Sequence, residues 1–220
     1  TYKKNKNHFI FFKNEDQIFS PEKNPLIVYK LKHVKIIIKE LRNKANSIDP
    51  YSVLGLSFFS NDLDKSKKDE IYKIILKNLP FDITLFRCFE DQDLIKLMNN
   101  NYNDYINIFC KKFKIKLELR HNFLLKENIK VNDTKFRDFF NSLNNFYITV
   151  FLKLTGITKS VILSYFFLCG DIRCVSLFNL INLENKFQQK KWGYVDEQEK
   201  IDKDCLNTLK KIEIFFKNIN

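Results

Sequence analysis

Hydrophobic and polar positions along this chain follow two different periods, and the change falls near residue 25. Residues 8 to 21 run His8-Phe9-Ile10-Phe11-Phe12-Lys13, then the polar Asn14-Glu15-Asp16-Gln17, then Ile18-Phe19-Ser20-Pro21. Two short apolar runs around a turn-forming cluster predict a hairpin. A hairpin of that size is stable only when packed on something else. From Pro25 onward Ile27, Leu31, Val34, Ile38 and Leu41 recur at steps of four and three, the spacing of one helix face. The Ile48-Asp49-Pro50 turn ends that helix.

The helical period persists through the rest of the chain. An apolar stretch from Val53 to Phe59 leads into polar residues 60 to 68, then into a helix carrying Ile71, Ile74, Ile75 and Leu79 that Pro80 stops. Phe81 to Phe89 is β-rich in character and reads as a short strand or extended segment with Arg87 projecting from it. Tyr102, Tyr105, Ile106, Phe109 and Phe113 form one helical stripe. Phe136, Phe139, Phe140, Leu143, Tyr147, Val150 and Leu154 form a longer one, broken by Gly156. Residues 158 to 169 predict a short apolar helix closed by Gly170 as a left-handed cap. Two helices follow, over 173 to 191 and 195 to 217, the last with Ile201, Cys205, Leu209, Ile212 and Phe216 as its buried stripe. The expected fold class is α+β: a small β-rich N-terminal part over residues 1–25 and a larger, mainly helical domain over 26–220. Only 4 Gly and 4 Pro, against 23 Phe and 9 Tyr, fit that helix-rich reading.

Charge changes the picture less than its size implies. A net +12 invites nucleic acid as a partner, and a basic helical nucleic-acid-binding module is the alternative reading of the chain. Yet 33 of the 38 basic residues are Lys and only 5 are Arg, whereas phosphate and base recognition favour the Arg fork. The 25 Asn residues point to a Lys and Asn bias on solvated faces. Five cysteines (Cys88, Cys110, Cys169, Cys174, Cys205) have no close paired spacing and sit among apolar neighbours, so they read as core thiols of a reducing compartment. His8, His33 and His121 lie far from one another in sequence, and no metal or other cofactor is expected. The longest apolar stretch, Val161 to Cys169, is too short to cross a bilayer. The chain opens at Thr1 without an initiator methionine, so localisation is not read from it directly.

Catalytic motifs are absent. Thr155-Gly156-Ile157-Thr158-Lys159-Ser160 lacks the second glycine of a phosphate loop and joins two helices. Asp62 with Asp64, and Glu90 with Asp91 and Asp93, are acidic pairs of the kind that sit at helix N-termini. The informative segment is 180 to 193. On a helix Leu177, Ile181, Glu184, Gln188 and Trp192 share one stripe, so two polar side chains interrupt an apolar face that ends at the only Trp. A carboxylate there is either paired inside the fold or kept to meet a partner, because burying it alone is costly. Lys190 and Lys191 point elsewhere on such a helix.

At Glu184, Phe187, Gln188, Trp192 and Gly193 the chain resembles the F1-ATPase α-subunit assembly chaperones, whose last helices carry an acidic stretch, an aromatic, Gln and then Trp-Gly. Thr155-Gly156 with Ser160 and the apolar run to Gly170 is similar to that family's small-residue turn, apolar helix and glycine stop. Asp82 and Arg87, in Phe81-Asp82-Ile83-Thr84-Leu85-Phe86-Arg87, match its Thr-Asp-Leu-Leu-Cys-Tyr-Arg segment. Glu40, Ile48-Asp49-Pro50, Asp64 and Ser20-Pro21 fall in the same order as their counterparts, while Leu41 and Tyr102 replace tryptophans and Lys114 stands where a Gly is common. The resemblance implies a monomeric, non-enzymatic chaperone of the mitochondrial matrix that holds the α subunit until the β subunit replaces it. It needs no cofactor, no nucleic acid and no membrane span. Glu184, Gln188, Trp192, Ile181 and Phe187 are the implied client-binding residues; Asp82, Arg87, Asp64, Gly156, Ser160, Gly170 and Gly193 are the implied structural motif.

Overall fold

A computed structural model describes residues 1–43, 47–87, 90–121, 133–193 and 195–220. Its architecture is α+β, with a small antiparallel sheet followed by helices. The sheet is built on β2 (His8–Lys13), which pairs antiparallel with β1 (Tyr2–Asn5), β3 (Asp16–Gln17) and β4 (Ile27–Val28). Alternation along β2 buries Phe9 and Phe11, as period-two geometry requires. The predicted hairpin is present as β2 and β3, joined at Asn14 and Glu15, both with positive φ (47° and 75°). Such a two-residue connection matches the strand twist.

Two strands escape the sequence expectation. β1 is Tyr-Lys-Lys-Asn and wholly exposed, so it carries no apolar signal. Ile27, expected on the first helix, instead pairs with Ile10 in β4. That helix, α1 (Leu31–Arg42), begins four residues later.

α2 (Val53–Asn61) and α3 (Lys65–Asn78) follow, capped by Ser52 and Asp64, whose side chains accept bonds from Gly55 N (3.0 Å) and Lys67 N (2.8 Å). Glu40 reinforces the first cap by accepting from Val53 N at 3.2 Å and Leu54 N at 2.7 Å. These satisfy amides that a helix N-terminus leaves bare. Ile71 and Ile75 are buried on α3, while Ile74 is exposed.

Residues 79–81 and 83–85 form two 3-10 turns rather than the expected strand, with Phe86 making one isolated bridge to Arg120. Cys88 and Phe89 lie outside the described residues. Arg87 does not project; its side chain is sealed inside.

α4 (Gln92–Phe113) carries its predicted stripe and ends at Lys114 in the left-handed region (φ 55°), the conformation that makes Gly common at such a position. The long stripe from Phe136 to Leu154 is divided between α5 (Thr134–Ser142) and α6 (Asn145–Thr158), because Asn144 caps a new helix by accepting from Tyr147 N at 3.1 Å. Gly156 does not break α6. It lies inside it, and Lys159 (φ 53°) makes the turn.

α7 (Val161–Cys169) is buried on every side through Leu168 and closes at Gly170, φ 86°. A helix apolar all round belongs at the centre of a core, and α7 packs on α4, α6 and α8 (Cys174–Ile181). Phe109, Phe113 and Phe136 cluster with Tyr165 of α7, the Phe113 ring meeting Phe136 and Tyr165 edge to face with centroids 5.1 Å apart in both pairs. Asn182 separates α8 from α9 (Leu183–Trp192), so the predicted helix over 173 to 191 is two helices. α10 (Asp196–Ile219) returns along α1, α2, α6 and α8. It buries Leu209, Ile212 and Phe215, while Ile201 is exposed, contrary to expectation. Cys174 is buried but Cys169 is exposed, so the thiols are not uniformly interior. Among the described residues no helix is long and apolar enough to cross a membrane.

Candidate functional site

The polar residues singled out from the sequence divide into two groups with opposite environments. One surrounds Asp82, which has no solvent exposure. Its Oδ1 accepts from Thr84 N (3.0 Å), Thr84 Oγ1 (2.8 Å) and Ser160 Oγ (2.7 Å), and its Oδ2 accepts from Ile162 N (2.9 Å). Burial lifts this carboxyl above its ordinary range against the pull of those four bonds. Ser160 caps α7 through Leu163 N at 3.0 Å, so Asp82 and Ser160 together fasten the 79–85 turns to the N-terminus of the central helix. Five residues past Asp82, Arg87 donates to Thr84 O (2.7 Å), Phe86 O (2.8 Å), Asn99 Oδ1 (2.8 Å) and Asn103 Oδ1 (3.2 Å), and its guanidinium lies 5.6 Å from the Tyr102 ring. Every one of these bonds is internal, so Asp82, Arg87 and Ser160 hold the fold together. Gly170 and Gly193 end α7 and α9 with positive φ, and Asp64 caps α3. Gly156 is the exception in this group: it stands within a helix and forms no turn.

The second group lies on α9, which packs on α4 and α8 and has no buried residue along its length. Its start is fixed by Asn182, whose Nδ2 donates to Phe178 O at 3.1 Å, and by Tyr102 OH, which donates to Leu180 O at 2.6 Å. Its end is tied to α4 by the Lys191–Asp91 ion pair, Asp91 being the α4 cap. On this helix Glu184, Gln188 and Trp192 keep the predicted i, i+4, i+8 spacing, although Ile181 and Leu177 belong to the preceding helix. Gln188 Nε2 donates to Glu184 Oε1 at 2.9 Å. Glu184 is half-buried, and the loss of water raises its carboxyl pKa, a shift the Gln188 bond opposes. Among the described residues no cation pairs with it. Ile181 and Phe187 are half-buried against the core, and Trp192 is 77% exposed.

This face offers a half-dry carboxylate, a carboxamide and a free indole in one row, beside apolar side chains. It can bind a surface of mixed polarity. It has no nucleophile, and among the described residues no group of three His, Cys, Asp or Glu is arranged to hold a metal. Three of the five arginines are engaged within the chain: Arg87 is internal, Arg137 pairs with Asp133 at 2.9 Å, and Arg120 lies 4.6 Å from the Phe81 ring. Sequence reasoning passed over Gln189, Val195 and Ile201, which with α9 border a groove; Ile201 was hidden by its place in an apparently apolar stripe.

No protein-family model and no curated protein sequence matches the chain. Solved structures do. Atp12 from Paracoccus denitrificans superposes with a TM-score of 0.84 at 18% identity, covering 100% of this chain and 95% of that one. A point mutant of the same protein gives 0.85 at 18% identity over the same shares. A candidate chaperone from Agrobacterium tumefaciens gives 0.85 at 13% identity, covering 100% of this chain and 84% of that one. From sheet to last helix, this chain has the fold of Atp12.

Proposed function

We propose that this chain is an assembly chaperone that binds the unassembled α subunit of the F1-ATPase in the mitochondrial matrix until the β subunit replaces it. It acts as a monomer and by binding alone, without catalysis or cofactor. The observation that carries this reading is the row of Glu184, Gln188 and Trp192, left half-wet and, among the described residues, without a cation, on a helix none of whose residues is fully buried. It stands at the residues where the sequence resembles α-subunit chaperones, in a chain with the fold of Atp12, an ATP synthase assembly factor.

The physics of the task fits such a face. An obligate subunit interface is large and apolar, so an α subunit without its neighbour aggregates. A chaperone must cover that surface and still give way. Affinity rests on a few well-packed anchors, offset by the cost of drying polar groups. Trp192, with Ile181 at the end of α8 and Phe187 on α9, supplies the apolar anchors; Glu184 and Gln188 supply the polar groups that keep binding moderate.

Co-expression with the cognate α subunit tests the proposal. The chain keeps α soluble, and Glu184→Lys loses that effect while leaving the helical circular dichroism unchanged. Equal aggregation of α with and without the chain would refute it.

A further inference from the structure

The small sheet is apolar on both faces. Beneath it Phe9, Phe11, Leu26 and Val28 are buried and Ile18 packs on the core. Strand alternation turns the intervening residues outward: Ile10 and Phe12 on β2, Ile27 directly opposite Ile10 on β4, and Phe19, two residues past Gln17 of β3. Ile10, Phe12 and Ile27 are half-buried on that outer face rather than against the core, and Phe19 is 49% exposed beside Pro25, its bridge partner. An antiparallel sheet with one face on a core ordinarily turns polar side chains to water on the other. Apolar side chains gathered there instead mark a surface of contact.

The charge around this face is mostly positive. Residues 1–42 carry nine lysines and one arginine against four acids, half of the net +12 in a fifth of the chain. Glu22 pairs with Lys67, and Glu40 holds the amides of Val53 and Leu54. Glu15 and Asp16 are left at the β2–β3 connection, whereas Lys3, Lys4, Lys6, Lys13 and Lys23 are all exposed on the strands and turns of the sheet. Lys3 shows where the two features meet: its Nζ lies 4.9 Å from the centre of the Phe12 ring.

We propose that the outer face of the sheet docks on an anionic lipid surface, with Ile10, Phe12, Phe19 and Ile27 entering the boundary between headgroups and acyl chains while the lysines meet the headgroup charges. Binding of that kind adds buried apolar area to attraction for anionic lipid, and the sheet supplies both. A protein partner fits less well, because Ile10, Phe12, Phe19, Pro25 and Ile27 fall far short of the roughly 20–30 residues a side of a stable protein interface. Nucleic acid also fits less well. Ile10 and Ile27 at the centre offer bases no ring to stack on, Lys3 lies over Phe12, and no arginine precedes Arg42. Lysines on long flexible stems suit a fluid array of headgroups, which asks for charge without fixed geometry. This docking is independent of the chaperone reading.

Co-sedimentation of the full chain with vesicles tests it. The chain sediments with vesicles of equimolar phosphatidylcholine and phosphatidylglycerol and not with vesicles of phosphatidylcholine alone. Phe19→Ser with Ile27→Thr lowers partitioning about tenfold or more. Lys4→Glu with Lys6→Glu lowers it about twentyfold or more. Both variants keep the circular dichroism and the solubility rescue of the α subunit. Sedimentation with neither vesicle, or equally with both, overturns the proposal. So does a loss on charge reversal with none on the apolar substitutions, which is adsorption by net charge. Single-stranded RNA that displaces the chain from vesicles, and is itself released by Phe19→Ser with Ile27→Thr, would overturn it in favour of nucleic acid. Loss of α-subunit rescue in that variant would overturn it in favour of the client. Failure of rescue by the unaltered chain removes the chaperone reading and leaves the vesicle result to decide this one.

Discussion

The Asp82 turn and the α9 helix use the same chemical groups to opposite ends. Both contain a carboxylate in a partly or wholly dry setting. Asp82 is met by four donors from three residues, whereas Glu184 is met by one, from its own helix. A carboxylate bonded on all sides fixes two elements against each other. One bonded on a single side keeps its remaining lone pairs for something outside the chain. The number of internal partners, rather than burial alone, separates the residues that hold this fold from those proposed to meet a client.

The sharpest way to break that comparison is Asp82→Ala. It leaves the donors of Thr84, Ser160 and Ile162 unpaired in the interior and costs about 3 kcal/mol or more, read as a lowered urea midpoint or as failure to fold. A loss below about 1 kcal/mol would remove Asp82 from the structural group.

Acid is a second probe of the sealed region, through His33. Its Nε2 lies 2.9 Å from Ser57 Oγ, whose own proton is committed to Val53 O at 2.6 Å, so the imidazole is the donor. Phe146 and Phe215 pack against the ring, and burial lowers its pKa from 6.5 to about 4. Between those values the unfolded chain binds a proton that the folded chain refuses, so stability present above pH 6.5 is lost as pH falls toward 4. The shift corresponds to about 3 kcal/mol at full extent. Urea midpoints at pH 7 and 4.5 measure it, and His33→Leu should flatten the difference.

The smallest effect on stability belongs to α9. Trp192→Ala changes folding by no more than about 0.5 kcal/mol while lowering affinity for the α subunit by roughly tenfold or more. Calorimetry of the variant alone and titration of the complex separate the two. A variant that unfolds easily would put Trp192 with the structural residues.

Much of this was legible because long helices repeat their signal. The stripe of α4, Leu209 and Ile212 of α10 and the glycine stop of α7 stand out, since successive turns of a helix agree with one another. Helix breaks were not legible. Asn144 and Asn182 divide two apparent helices, but in a chain with 25 Asn residues a capping Asn looks like every other one. β1 and the 3-10 turns of 79–85 depend on partners distant in sequence, and Arg87 read as projecting from an extended segment because nothing local announces the asparagines and carbonyls that receive it. Of the candidate site, the row Glu184, Gln188 and Trp192 was readable from spacing. The groove beside it was not, because it exists only where α10 turns away.

Trp192 has one more consequence. The chain owns a single indole, and it stands in water at the end of α9 rather than in the core. Its fluorescence is therefore nearly blind to unfolding of the interior and sensitive to whatever settles on that helix. A shift of emission to shorter wavelength becomes a built-in optical readout of occupancy, free of any attached dye.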